Sequence, residues 1–367
     1  MKMTIFGLTV SSSWGNGHAT LWRGLIRALA RRGWEVVFFE RDVPYYAMNR
    51  DAYSIDGGRL ILYADWDEIR KAAEREVGDA DVAVVTSYCP DAIAATALVL
   101  NAPSALRVFY DLDTPVTLSH LRQGGATDYI GPDGLSGFDF VLSYTGGAAL
   151  DELRTVLGAR RTGALYGHVD PDQHRPGAPN PCFAADLSYL GTYAADRQPG
   201  VDRFLVQPAI RRPDQRFVIG GAQYPEDFPW TPNIHFVRHL PPGDHPAFYA
   251  SSRITLNVTR RAMAEMGWCP SGRLFEAAAC GAAIASDVWP GLEDFFEPGS
   301  EIITVRTTED VIGALDLSEA ELQRIGRNAR ERVLSDHTSA RRAEELEAML
   351  SGVGRAKDAR APATEEA

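Results

Sequence analysis

Residues 4–40 read TIFGLTVSSSWGNGHATLWRGLIRALARRGWEVVFFE, and the fold class follows from them. Thr4–Val10 is a short apolar run of strand-forming residues that stops at three serines. Leu21, Leu25 and Leu29 then share one helical stripe with Trp22 and Ile26, while Arg23, Arg27 and Arg31 occupy the opposite side. Gly33 stands where a left-handed cap ends such a helix, and Glu35–Glu40 is a second strand. Strand, crossover helix and strand in so short a span make a βαβ unit, whose two strands run parallel.

The pattern repeats outward. Further strands are expected at Leu60–Tyr63, Val82–Thr86, Ala105–Tyr110, Phe140–Ser143 and Ala164–Tyr166, most of them continuously apolar, as strands covered on both faces are. Gly167–Asn180 (GHVDPDQHRPGAPN) breaks the rhythm with three prolines and reads as a linker. A second series follows at Leu187–Leu190, Arg216–Ile219, Ile234–Val237, Ile254–Asn257, Ala283–Ser286 and Glu301–Thr304, then two amphipathic helices near 318–334 and 338–350. The expected organisation is α/β throughout. A Rossmann-like, doubly wound parallel-sheet domain spans 1–170 and a second spans 181–335. A helix over 336–351 is expected to pack back toward the first, and 352–367, charged and Ala-rich, to be disordered.

Composition narrows the function. The 367 residues hold 37 Lys and Arg against 49 Asp and Glu. The resulting net charge of −12 disfavours nucleic acid as a partner, because affinity for it comes mostly from cations on phosphates. Cys89, Cys182, Cys269 and Cys280 have no metal-like spacing and read as reduced thiols. No run is long enough for a membrane helix and the start lacks a signal-peptide pattern, so a cytoplasmic protein is expected.

Four stretches carry candidate chemistry. Ser11–His18 (SSSWGNGH) follows the first strand, at the sheet edge where parallel sheets bind ligands. Gly15 and Gly17, flanking Asn16, let backbone approach a ligand, and His18 at the helix mouth is a candidate general base. A plainer alternative is that Asn16 and His18 only cap the helix. Thr20 stands where a complete GxGxxG fingerprint needs glycine, which argues against a dinucleotide. In FYDLDTPVTL, Asp111 and Asp113 form a D-x-D, which in some sugar transferases holds a divalent ion. The same spacing recurs at Asp65/Asp67, Asp79/Asp81 and Asp170/Asp172, so a positioning or acid/base role is favoured over a metal site.

Gly191-Thr192-Tyr193 with Arg197 mirrors the first glycine turn and offers close backbone, a donor and a guanidinium to a diphosphate. Pro270–Gly281 (PSGRLFEAAACG) is a helix that starts at Ser271 and ends at Gly281. Arg273 and Glu276 share one of its flanks and, with Ser271, are candidates to bind the donor nucleotide; the plainer alternative is that the two pair locally. Glu276 also lies near the helix N-terminus, whose amides attract phosphate, and there a carboxylate can accept both hydroxyls of a ribose diol. His120, His168, His174, His235, His245 and His337 show no metal-site pattern and read as surface or core residues.

Asn257–Arg260 (NVTR), Pro270–Gly281, Ala285–Leu292 (ASDVWPGL) and Phe296–Ile303 (FEPGSEII) resemble the donor half of group 1-type glycosyltransferases of GT-B architecture. Ser11–His18, LWRGLIRALARRGWEV and DLDTPVTL resemble the amino-terminal half of the CgeB-like (spore-maturation-protein-like) branch. The resemblance implies two Rossmann-like domains facing across a cleft, with a nucleotide sugar held mainly by the second and an acceptor by the first. It implies that Glu276 binds the donor ribose, and that Gly191, Arg197 and Arg260 lie near the diphosphate. It also implies base recognition around Arg238-His239-Leu240, and contact with sugar or phosphate from Asp287, Trp289, Gly291 and Leu292. Many group 1 transferases carry a second glutamate eight residues before the ribose glutamate; here that position is Trp268.

The expected activity is transfer of a sugar from a nucleoside-diphosphate sugar, a UDP-sugar first among them, to a hydroxyl-bearing small molecule or glycan. No cofactor or metal is expected. Arg197, Arg260 and the amides at Ser271 would neutralise the departing diphosphate, while His18 or Asp113 would orient or deprotonate the acceptor. The competing readings are a nucleotide-sugar 2-epimerase of the same architecture, a metal-dependent transferase built on Asp111 and Asp113, and a sugar-nucleotide-binding protein without catalysis.

Overall fold

A computed structural model describes residues 1–102 and 104–358. The chain forms two compact units, each assembled from separate stretches. One comprises Met1–Ser11, Leu25–Tyr166 and the chain from Ala340 on; the other comprises Ser12–Gly24 and Gly167–Ser339.

The first unit carries strands β1 (Lys2–Gly7), β2 (Glu35–Arg41), β3 (Gly58–Tyr63), β4 (Val82–Thr86), β5 (Leu106–Asp111), β6 (Phe140–Ser143) and β7 (Thr162–Ala164). They form one sheet in the order β3-β2-β1-β4-β5-β6-β7, with every pairing parallel. Helices α1 (His18–Arg31), α2 (Pro44–Ala47), α3 (Trp66–Gly78), α4 (Ala92–Leu100), α5 (Thr114–Arg122) and α6 (Ala148–Leu157) make the crossovers. Continuous apolar runs became strands because both faces are covered: Ile5, Phe6, Val37, Phe38, Val84, Val108 and Val141 are all buried. The α1 stripe of Trp22, Leu25, Ile26 and Leu29 is buried as its spacing requires.

The second unit carries β8 (Ala185–Leu190), β9 (Phe217–Gly221), β10 (Ile234–Arg238), β11 (Ser252–Asn257), β12 (Ile284–Asp287) and β13 (Ile303–Val305). Their order is β10-β9-β8-β11-β12-β13, again all parallel. The helices are α7 (Gln198–Val201), α8 (Gln207–Arg211), α9 (His245–Ala250), α10 (Arg261–Met266), α11 (Gly272–Ala279), α12 (Thr308–Leu315) and α13 (Glu319–Asp336), with a π turn at Asp202–Val206 joining α7 to α8. Leu187, Tyr189, Ile254, Leu256 and Ala285 from the central strands pack with Phe204 and Leu205 from the π turn. In both sheets the strand order reverses beside the first strand of the series, between β1 and β4 and between β8 and β11. The crevice at the carboxyl ends of such strands is where open α/β sheets take ligands.

A final helix, α14 (Ser339–Asp358), serves the first unit from Ala340 on. Leu346 and Leu350 are buried, and burial of each contributes about 1.5–3 kcal/mol. Glu347 on the same helix accepts from Arg32 Nε at 2.8 Å and Trp34 Nε1 at 2.7 Å. Two expectations need correction. Gly167–Asn180 is not a free linker: Val169 bridges to Thr338, and His168, Asp170 and His174 are buried. Residues 352–358, expected to lack structure, continue α14, because the helix already has an apolar face to bury; 359–367 lie outside the described residues.

Candidate functional site

The carboxyl edge of the second sheet gathers several predicted residues. β8 ends in Leu190 and turns at Gly191, where a Cβ would stand 2.8 Å from the Tyr189 hydroxyl and 2.9 Å from Arg273 Nη2, so a larger residue would have to displace one of these groups. Arg273 does not pair with Glu276. Its Nε donates to Leu190 O, its Nη1 donates to Asn257 Oδ1 at 2.8 Å, and its guanidinium sits 5.1 Å from the Tyr189 ring centroid. It thereby ties β8 to β11 at the point where the strand order reverses. Arg197 donates through Nη1 to the Tyr189 hydroxyl at 3.0 Å and Thr192 O at 3.3 Å, and its buried Nε has no hydrogen-bond partner. A buried guanidinium N–H left unsatisfied is costly, so this edge is ready to receive an acceptor atom.

Arg260, after the NVT stretch, donates to Asp196 Oδ2 at 3.1 Å. Ser271 is the N-cap of α11, but its side chain makes no capping bond. Arg238 is exposed at the end of β10, while Leu240 is buried and offers its carbonyl 3.4 Å from His245 Nε2. Asp287 is occupied: it accepts from Thr259 N at 3.0 Å and Thr259 Oγ1 at 2.9 Å, and burial raises its pKa. It holds the loop that presents Arg260. Trp289 and Leu292, expected to touch sugar or phosphate, are packed at 2% and 1% exposure, because apolar side chains on this turn have Phe295 and the core to cover them. Gly291, at φ +85°, lies against the Trp268 indole, whose Nε1 donates to Asp294 Oδ2 at 2.6 Å. Trp268, at φ +44°, is therefore a clasp on the 290s loop and offers no carboxylate.

Glu276 lies just over one turn into α11 with its side chain 13% exposed. Its Oε1 accepts from Thr20 Oγ1 at 3.2 Å and lies 3.9 Å from His174 Nε2; its Oε2 lies 3.6 Å from His245 Nδ1. Burial alone would raise its pKa, but the two imidazoles and the Thr20 hydroxyl lower it to about 2. The carboxylate is thus ionised across the physiological range, and an ionised carboxylate only accepts hydrogen bonds. Sequence reasoning missed His174, His245 and Thr20. Among the described residues these two histidines and Glu276 also form a group of the type that can hold a metal ion.

Gly15, Asn16 and Gly17 form the turn before α1. Asn16 Oδ1 accepts from His18 N at 3.1 Å, so Asn16 caps the helix, and His18 opens it half-buried. Ahead of this turn, Glu40 at the end of β2 accepts from Val10 N at 2.7 Å, Ser11 N at 2.9 Å and Thr9 Oγ1 at 2.7 Å. The Ser11 hydroxyl donates to it as well. Glu40, also unforeseen, fastens the β1–α1 turn.

In the first unit, Asp111 is fully buried. Its Oδ1 accepts from Asp113 N at 3.1 Å and Thr117 Oγ1 at 3.2 Å, its Oδ2 has no partner, and burial raises its pKa to about 6. Asp113 is the N-cap of α5 without a side-chain capping bond. The D-x-D therefore closes a helix start with the Asp111 carboxylate turned inward.

Residues 197–348 match the family model described as glycosyl transferase-like. No curated protein sequence matches the chain. Among solved structures, sucrose-phosphate synthase from Thermosynechococcus elongatus aligns over 97% of this chain and 100% of its own, with a TM-score of 0.69 at 15% identity. Anabaena HepE in complex with UDP-glucose aligns over 96% and 100%, with a TM-score of 0.67 at 13% identity. An alpha-glucosyltransferase in complex with UDP-glucose and DNA containing an abasic site aligns over 96% and 99%, with a TM-score of 0.69 at 14% identity. The α/β fold, with sheets of seven and six parallel strands, is that of the GT-B glycosyltransferases. No helix among the described residues is long and apolar enough to cross a membrane.

Proposed function

We propose that this protein is a glycosyltransferase of the CgeB-like branch that moves a sugar from a nucleoside-diphosphate sugar, a UDP-sugar first, to a hydroxyl-bearing acceptor in the cytoplasm. The observation that carries the reading is an ionised Glu276 on α11 in the same unit as the Gly191 turn, Arg197 and Arg273. Structures of the same fold hold UDP-glucose, which supports assigning these groups to a sugar nucleotide.

In this reading both ribose hydroxyls donate to Glu276, and the diphosphate lies along the Gly191 turn. The C–O bond between sugar and diphosphate breaks as the acceptor oxygen attacks, and negative charge grows on the leaving phosphate. Arg197, through its spare Nε–H, and Arg260, exchanged from Asp196, stabilise that charge without a required metal, together with the amides after Ser271. His18 orients the acceptor hydroxyl or takes its proton, with Asp113 as the second candidate. The net charge of −12 supports a small molecule or glycan over nucleic acid as acceptor.

The test is a thermal-shift screen of UDP, GDP, ADP, CMP and dTDP, followed by turnover of the matching nucleotide sugars with and without acceptors, in excess EDTA. A raised midpoint with one diphosphate, and diphosphate release that an acceptor accelerates despite EDTA, is the expected result. Trp268, standing where a glutamate would contact the donor sugar, favours a second reading, a sugar-nucleotide-binding protein without catalysis. Binding without any turnover identifies it, and epimerised sugar from donor alone would identify a 2-epimerase instead of either.

A further inference from the structure

Among the described residues no arginine or lysine pairs with the Glu276 carboxylate: Arg273, three residues away, is engaged with Leu190 and Asn257. The groups that face it are two imidazoles and the Thr20 hydroxyl. His174 comes from the Pro-rich 167–180 segment and His245 from the first residue of α9. The two rings meet at 3.2 Å between His174 Nε2 and His245 Nδ1. They lie 3.9 Å and 3.6 Å from the two carboxylate oxygens.

His245 Nε2 faces Leu240 O at 3.4 Å, a place only a donor can fill, so the ring is anchored by its far nitrogen. Nδ1 is thereby turned toward the gap shared by His174 Nε2 and Glu276 Oε2. The two rings set one nitrogen against each carboxylate oxygen and fix where the carboxylate lies.

We propose that His174 and His245 are positioning residues that hold the Glu276 carboxylate aimed at the ribose diol of the donor nucleotide. The inference rests on the ribose role proposed above. It adds that the supposed linker supplies part of the donor site, and that selectivity for ribose over deoxyribose depends on the pair.

Amide substitutions separate the ring nitrogens, because Asn reproduces the reach of Nδ1 and Gln that of Nε2. His245→Asn and His174→Gln keep the atom at Glu276; His245→Gln and His174→Asn withdraw it while keeping a polar side chain. Binding of UDP and of 2′-deoxy-UDP is measured by calorimetry for the wild type and the four variants, with metal content by mass spectrometry. The wild type is expected to prefer UDP by about tenfold. The withdrawing variants are expected to lose most of that preference through weaker UDP binding, with KM for the donor raised more than kcat is lowered, and the two conserving variants to retain most of it. A preference unchanged in folded withdrawing variants overturns the proposal and leaves the ribose role of Glu276 standing. A wild type that binds UDP and its deoxy analogue equally overturns both. One equivalent of bound metal in the wild type, lost in the withdrawing variants, overturns the proposal in favour of a metal centre.

Discussion

Replacing Glu276 by glutamine is the substitution that most directly probes the donor site. The carboxylate is lowered from 4.5 to about 2, so its native contacts favour the ionised form by about 3 kcal/mol. A depressed carboxylate contributes stability above its unfolded pKa and loses it as pH falls toward the folded one. Glu276→Gln should therefore unfold more readily at pH 7 by up to about 3 kcal/mol, and its stability should fall less than that of the wild type between pH 4.5 and 2. Ligand binding should suffer separately. A glutamine offers one acceptor where the diol has two donors, and losing a charge-assisted bond costs about 1.5–3 kcal/mol. UDP affinity should drop roughly 10–100-fold. Calorimetric titration with UDP at pH 7.5, alongside a denaturant melt confirming that the variant is folded, reads both effects. A folded Glu276→Gln whose UDP affinity stays within twofold of the wild type refutes the assignment of the carboxylate to the ribose.

Three further outcomes concern the scaffold. Asp111, raised to about 6, stabilises the fold while protonated, and that contribution disappears as pH rises from about 4 through 6, a loss of roughly 3 kcal/mol. Asp111→Asn should flatten this part of the stability profile in pH-dependent urea melts, and an unaltered profile would exclude Asp111 as its source. Glu40→Gln places an NH₂ among four donors, and should cost about 2–4 kcal/mol and lower the melting midpoint by several degrees in calorimetry; a midpoint within a degree contradicts the clasp. Gly291→Ala sets a Cβ 2.5 Å from the Trp268 indole at φ +85°, and should destabilise by at least about 2 kcal/mol; tolerance in a urea melt would show that the 290s loop adapts.

Much of the fold was legible because its strands are sandwiched between helices. A strand such as Val82–Thr86, buried along its whole length, must be apolar throughout and so announces itself. The last strand of the first sheet, Thr162–Ala164, is only partly buried, and its expected position was displaced by two residues. The helix carrying Glu276 was equally plain, since Ser271 and Gly281 bracket a buried stripe. What stayed hidden was contact between distant segments. His174 lies in an aperiodic, proline-broken stretch, and no local spacing discloses that it meets His245, 71 residues on. Glu40 carried a usable signal, an acidic residue directly after the apolar run Val36–Phe39 of β2, where an unsatisfied charge would be intolerable. Trp289 and Leu292 stand in a family motif that suggested ligand contact, and the burial of both side chains follows from their apolar chemistry.

The discontinuity of the two units bears on how the protein is born. The sheet beginning at Lys2 lacks its final helix until residues 340–358 have left the ribosome, so its outermost packing forms after nearly everything else has been synthesised. The later unit, in turn, recruits residues 12–24, which emerge first. Neither half can be excised as one continuous fragment, and a nascent chain halted near residue 200 should remain vulnerable to proteases until its missing helix arrives.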